Sequence, residues 1–260
     1  MSDRSTSRPT DRSPQNRVTL STWQSDRVRR WVAAPLAAVS LAVLGLGLTA
    51  SPLFNVRTVV VTGAARVPRQ QVVHQAGLDD PANVYWFHTA GAERGLQQDP
   101  WISSAAITRE LPHTIRIHVV ERRPTSRVLV GSTWLLLASD GTVLGPGGRH
   151  LRLPVLPSTK ALTLGERSPS LVLPATVAGR MSPWLRSRVR SVLPVSRADV
   201  VLELARGGRV MLGPPTALGA KIRALAGIVR WAAHHHRRFE YVDLRAPLAP
   251  AARVAAPAAG

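Results

Sequence analysis

The chain has 260 residues, a formal net charge of +19 and no cysteine. That length suits an anchor plus one or two small domains, and the missing cysteine excludes a disulfide framework, a CxxC redox pair and a thiolate zinc site. Nearly all the positive charge is arginine, Lys160 and Lys221 being the two lysines, and it is spread along the chain, which argues against a nucleic-acid-binding function.

Residues 1–30 are rich in Ser, Thr, Arg, Asp and Pro without apolar periodicity, so a disordered tail is expected. Between Arg30 and Arg57 no side chain is ionisable. As a helix this run would span roughly 39 Å at about 1.5 Å per residue, against about 30 Å of hydrocarbon. Residues 31–53 are therefore predicted to cross a bilayer, with Trp31 at its interface and with Pro35, Gly45 and Gly47 better tolerated there than in a soluble helix. The run is too long for a signal-peptide core, and Leu48 occupies the −3 place before Ala50. Arg27, Arg29 and Arg30 precede it, so the positive-inside rule puts the N-terminus in the cytoplasm and the remainder outside.

After the span the period changes. Residues 55–62 are β-branched and closed by Gly63, which predicts a strand. Residues 67–76, with Pro68 near the start and Gly77 beyond the end, predict a helix, and 90–98 a second one before Pro100. Residues 102–109 and 114–120 read as strands, Ile115, Ile117 and Val119 forming a buried face. The order is β-α-α-β-β. Trp101 is expected to bury area in this core, and Glu121-Arg122 to be either a domain junction or a surface ion pair.

Residues 127–130 and 134–138 are strand-like, with Asp140-Gly141 as a hairpin turn. Gly145-Pro146-Gly147-Gly148 lacks the Lys-Ser/Thr and helix of a phosphate loop and reads as a turn or flexible loop. Ser182-Pro183 opens a predicted helix with Leu185, Val189 and Val192 on one face. Residues 200–204 and 210–212 flank Gly207-Gly208 as a hairpin. Leu218, Ile222, Leu225, Val229 and Ala232 then form the stripe of a longer helix, and 239–245 is the last predicted strand. Beyond Ala246, Pro and Ala dominate and disorder is expected.

Catalytic signals are weak. His234-His235-His236 would point about 100° apart on a helix and cannot share one ion. Glu121, Asp140, Asp199, Glu203 and Asp243 are scattered, and no G-x-S-x-G elbow is present. The reading is of a non-enzyme with no metal, cofactor or catalytic residue.

Phe54-x-Val56-x-x-Val59-x-Val61-x-Gly63, then Pro100-Trp101-Ile102, then Ala106-Ile107-x-Arg109-x-x-Pro112-x-Thr114-Ile115-x-Ile117-x-Val119-x-Glu121-Arg122-x-Pro124 resembles the bacterial cell-division family FtsQ, also called DivIB. Asp140 to Leu144 and Val242-Asp243-Leu244-Arg245 extend the likeness. The resemblance implies an α+β protein. After a single transmembrane helix would come a POTRA domain at 54–122, a mixed, mostly antiparallel β-sheet domain with helices at 123–247, and a disordered tail at 248–260.

It also implies a divisome scaffold at the septum. Such a scaffold binds FtsB- and FtsL-like bitopic proteins outside the cytoplasmic membrane, links them to septal peptidoglycan synthesis, and reaches other division proteins through the POTRA domain. An edge strand offers unpaired N–H and C=O groups to an incoming chain. The final strand is the expected edge, with Phe239, Tyr241, Asp243 and Arg245 as partner-binding residues and Arg245 facing a partner carboxylate. Ala246-Pro247 is expected to shorten it. The alternatives are a POTRA-bearing assembly or transport adaptor and an anchored binder of anionic polymers.

Overall fold

The computed structural model describes residues 23–148, 151–158, 160–196 and 199–255, with side chains from Pro35 onward. The chain divides into Met1–Pro52 and Leu53–Gly260. In the first unit Trp23–Thr49 forms helix α1, with Pro35 inside it. It starts ahead of the predicted span, so residues 23–30, expected to be disordered, are helical; Gln and Arg are good helix formers there. Leu41, Val43, Leu44 and Leu46 are exposed on its surface. Among the described residues, no helix is long and apolar enough to cross a membrane. The rest of the expected N-terminal tail, and the side chains of Arg27, Arg29 and Arg30, lie outside the described residues, as does the end of the C-terminal tail.

The second unit opens with the predicted β-α-α-β-β order: β1 (Thr58–Thr62), α2 (Arg69–Gln75), α3 (Thr89–Gln97), β2 (Ile102–Glu110) and β3 (Thr114–Glu121). β1 lies parallel to β3, with Val59 opposite Ile115 and Val61 opposite Ile117, and β2 completes the sheet antiparallel to β3. Alternation along β3 sends Ile115, Ile117 and Val119 into one core with Val72 and Leu96. Gly63 follows β1 at φ 84°, and a Cβ there would meet the Val119 carbonyl oxygen at 2.0 Å, so glycine is required on both counts.

A nine-stranded sheet follows. Its strands are β4 (Pro124–Val130), β5 (Thr133–Ala138), β6 (Val143–Pro146), β7 (Val155–Leu156), β8 (Val189–Pro194), β9 (Val200–Leu204), β10 (Arg209–Gly213), β11 (Phe239–Asp243) and β12 (Ala251–Val254). They lie in the order β12-β11-β10-β9-β8-β7-β4-β5-β6. Helices α4 (Pro169–Arg180), α5 (Pro183–Arg186) and α6 (Leu218–His234) complete the unit. Leu171, Ala175 and Ala178 of α4 and Ile222, Leu225 and Val229 of α6 join the inner residues of the sheet in one core. The whole is mixed α+β, as the sequence implies.

Four expectations are corrected here. The helix opened by Ser182-Pro183 is a single turn: Ser182 does cap it, its Oγ accepting from the Leu185 amide at 3.3 Å, but Val189 and Val192 belong to β8, where β-branched residues pack best. Helix α4 went unpredicted because Pro174 interrupts its pattern, although Pro169 sits in its first turn, where proline is favourable. Gly145 and Pro146 are part of β6, an edge strand, one of the few sheet positions open to proline. Among the described residues beyond Ala246, expected to be disordered, the chain returns as β12.

Candidate functional site at the carboxy-terminal sheet edge

The last predicted strand is not the edge of the sheet. β11 runs parallel to β10, with Arg209 opposite Tyr241, and antiparallel to β12, with Val242 opposite Ala252 and Asp243 opposite Ala251. The connection explains why β12 was missed. Ala249 N donates to Ala246 O at 3.1 Å, closing a turn with Pro247 in its second position, where its fixed φ is favourable. The proline expected to end the strand instead helps the chain return.

The four expected partner-binding residues do not share a face. In an unbroken strand 239, 241, 243 and 245 would all point one way. Pairing between β11 and β12 shifts between Phe239 and Tyr241, and such a bulge inserts one residue. Phe239 is therefore buried near Trp231, their ring centroids 6.2 Å apart. Glu240 and Tyr241 are both exposed, and Val242 and Leu244 are fully buried in the core with α6. Burial of each of these two contributes about 1.5–3 kcal/mol.

Tyr241, Asp243 and Arg245 do come together. Arg245 donates from Nε to both Asp243 carboxylate oxygens, at 3.1 and 3.0 Å, and from Nη2 to Oδ2 at 2.6 Å. Its own amide reaches Oδ1 at 2.9 Å, and the Tyr241 hydroxyl reaches Oδ2 at 3.1 Å. The guanidinium bonds, with the amide bond, hold the Asp243 carboxyl far below the usual carboxylate range. Tyr241 is pushed up by donating to that carboxylate, and Arg245 is raised by the same partner. Arg245 is thus already engaged within the chain, where the sequence reading had it facing a partner.

Sequence reasoning passed over Lys221. Its side chain is almost fully buried, and Nζ donates to the carbonyls of Leu212 and Pro214, both at 2.8 Å. Burial lowers its pKa, opposed by the charges of Asp199 and Asp243. The ammonium thereby ties the start of α6 to the end of β10, beside the strand that carries Asp243. A signal was present: Lys221, one of two lysines, sits three residues after Leu218 on the apolar stripe of α6.

A second set of contacts lies at the end of β3, where the three-stranded sheet meets the large one. Glu121 Oε1 accepts from the amides of Ala65, Arg66 and Val67 at 2.9, 2.8 and 2.8 Å. Trp101 is half-buried, packs against both the first core and a small cluster of Leu136, Ala138 and Leu144, and carries the Arg66 guanidinium 3.8 Å above its ring. The expected burial in the first core accounts for one of its two sides.

Residues 54–122, spanning β1 to β3, match the family model for the POTRA domain of FtsQ type. The chain is 26% identical over 188 residues to the cell division protein FtsQ of Corynebacterium glutamicum, covering 70% of this chain and 82% of that one. It is also 26% identical over 216 residues to FtsQ of Mycolicibacterium smegmatis, covering 83% of this chain and 63% of the relative. Residues 54–122 thus resemble the FtsQ-type POTRA domain, and the chain is similar to proteins named FtsQ. A solved structure, the major extracytoplasmic domain of the trans isomer of DivIB from Geobacillus stearothermophilus, shares 15% identity and covers 44% of this chain and 92% of that one, with a TM-score of 0.31. Arg122 closes the POTRA-type segment, and its contacts reach into the sheet that ends in β12.

Proposed function

We propose that this chain is a non-enzymatic scaffold of the bacterial division machinery. Residues 31–53 anchor it in the cytoplasmic membrane with the N-terminus inside, and the POTRA domain and the large sheet stand outside at the septum. It captures FtsB- and FtsL-like bitopic partners by strand addition and so links them to septal peptidoglycan synthesis. The uncharged run from Trp31 to Val56 and the arginines before it support the anchor.

The observation that carries the reading is the contrast among the sheet edges. On β1, the Val59 carbonyl accepts from Arg69, and on β2 the Ile107 amide donates to Glu93 at 2.8 Å. On β6, Val143 exchanges main-chain bonds with Glu166 and Gly165. Among the described residues β12 bonds through its main chain to β11 alone, and all four of its side chains are exposed. An incoming strand therefore meets least competition at β12. Each net hydrogen bond contributes about 1 kcal/mol, so several must form together with side-chain contacts. Tyr241, Asp243 and Arg245 lie one strand inward and would supply polar contacts beside the added strand.

A fluorescent fusion in dividing cells, combined with co-purification of an FtsB-like partner, tests the proposal. Septal bands and partner capture are expected; uniform envelope staining would refute the scaffold reading.

A further inference from the structure

The end of α6, the β9–β10 hairpin and the start of β11 enclose a cavity of about 290 Å³, near the lower end for small-molecule sites. Its floor is apolar, formed by Leu204, Val229 and Phe239, all buried. Four arginines, Arg188, Arg206, Arg237 and Arg238, line the cavity together with His236 and small residues. No Asp or Glu is among the lining residues.

The ordinary explanations for such a cluster do not account for it. Surface arginines are often neutralised by carboxylates, yet among the described residues Arg206, Arg237 and Arg238 make no side-chain hydrogen bond or ion pair. Cations also collect at helix C-termini to cap carbonyls. Here two of the terminal carbonyls are served by the main chain and not by arginine side chains: Trp231 O accepts from the His235 amide at 3.0 Å, with the His235 ring beside it, and Ala232 O accepts from the Arg237 amide at 2.9 Å. Arg188 is held in place, donating to Trp184 O at 3.0 Å with its guanidinium 4.1 Å from the Trp184 ring. Four like charges around one apolar hollow repel one another unless an anion joins them.

We propose that this cavity binds a phosphate or diphosphate ester, its anionic head among the four arginines and a hydrocarbon arm on the Leu204, Val229 and Phe239 floor. Guanidinium forks match phosphate oxygens in pairs. A single carboxylate would leave most of the positive charge uncompensated, and a neutral sugar would leave all of it. Two sources share this chemistry, a lipid phosphate and a soluble phosphate ester, and the hydrocarbon arm separates them.

The full chain in nanodiscs of zwitterionic lipid is titrated calorimetrically with inorganic pyrophosphate and with geranyl diphosphate. Binding of both is expected. Geranyl diphosphate tighter by about tenfold or more would assign a lipid-like ester, and equal affinities a soluble one. Arg237→Glu with Arg238→Glu should weaken both probes by about tenfold or more, whereas Arg180→Glu with Arg223→Glu, exposed positions outside the cavity, carries the same charge change and should leave binding within about twofold. Unfolding midpoints show that each variant folds; the corresponding Gln pair replaces any Glu pair that does not. Absence of binding to the wild-type chain, or equal weakening by the two charge-reversed pairs, overturns the proposal.

Discussion

Arg122 Nε lies 3.0 Å from Asp140 Oδ2, a bond that joins the end of the POTRA segment to the β5–β6 turn of the large sheet. The same guanidinium donates from Nη1 to the carbonyls of Pro100, at 3.1 Å, and Ile102, at 2.6 Å. One side chain therefore holds two segments, 100–102 and the turn at Asp140, and Glu121 beside it fixes a third through three amides. The pair Glu121-Arg122 is a junction rather than a surface ion pair.

Arg122→Ala should accordingly destabilise the chain by about 1–3 kcal/mol, since it strands a half-buried carboxylate and two carbonyls at once. Arg122→Lys should recover part of this, because a point charge can satisfy Asp140 without reproducing the fork. Denaturant titration of the full chain measures both. Equal midpoints for wild type and Arg122→Ala would show that the two sheets are joined by apolar contacts around Trp101 alone.

The same junction predicts an acid limb. Burial raises the carboxyls of Glu121 and Asp140, but amide bonds from Val67, Arg66 and Ala65 in the first case, and from Thr142 together with Arg122 in the second, bring both below their ordinary values. A depressed folded pKa means that the unfolded chain binds more protons, so stability is present above the ordinary carboxyl range and lost as pH falls through the folded values. The decline should begin near pH 5 and steepen below about pH 4. Glu121→Gln, which keeps an acceptor but cannot titrate, should flatten that limb. A slope unchanged between pH 5 and pH 3 would rule out Glu121 as a contributor.

Much of this was legible from residue patterns alone. Val59, Val61, Ile115 and Ile117 alternate strictly, so the β-α-α-β-β order could be read directly, and Asp140-Gly141 and Gly207-Gly208 announce hairpins by their need for positive φ. The misreadings have local causes. Leu185, Val189 and Val192 fit a helical face and a strand equally well, and only pairing with β9 decides between them. Ala251, Ala252 and Arg253 carry little β-propensity, so β12 exists because β11 offers it an edge. The bulge that buries Phe239 leaves no trace in the sequence, because it depends on the register of a neighbouring strand.

Lys221 supplies a prediction about the corner that supports β11. Lys221→Met preserves volume and apolar packing but leaves the Leu212 and Pro214 carbonyls without their shared donor, which should cost about 1–3 kcal/mol. Because burial depresses the lysine pKa, the unfolded chain holds the proton more tightly, and this residue's contribution should grow as pH rises toward the ordinary lysine range. In the Met variant that pH-dependent gain should vanish. Hydrogen exchange at Val242 and Leu244 should quicken; unchanged protection there would confine the effect of Lys221 to α6.

Arg245→Glu separates the polar network from the edge itself. The substitution places a second carboxylate against Asp243, so Asp243 should titrate nearer the ordinary range, while fold stability should change little because Arg245 is largely exposed. If the network orients an added strand, partner capture should weaken by about tenfold, a loss of roughly 1.4 kcal/mol. Pull-down of an FtsB-like partner at matched protein levels gives the comparison, and full retention would remove Arg245 from the binding surface.

The strongest test asks which strand receives the partner. A chain ending at Pro250 lacks β12 and leaves β11 outermost, the arrangement expected from the sequence. Three residues that fill the core, Phe239, Val242 and Leu244, remain in place, and β12 has no buried side chain. The truncated chain should therefore stay folded, losing no more than about 1–3 kcal/mol from the missing pairing. If partners add to β12, capture should drop by more than about tenfold, because the register presented by Ala251–Val254 is gone and the bulge at Phe239 breaks the new edge. Should capture survive or improve, β12 instead shields β11 and an incoming strand displaces it. Either outcome is read by co-purification with the partner, and a mixed disulfide reports the register directly: the chain has no native cysteine, so Ala252→Cys can be crosslinked to single cysteines along the partner without background. Crosslinks that advance two residues on the partner for every two on β12 would establish a paired strand, and crosslinks without that periodicity would dismiss it.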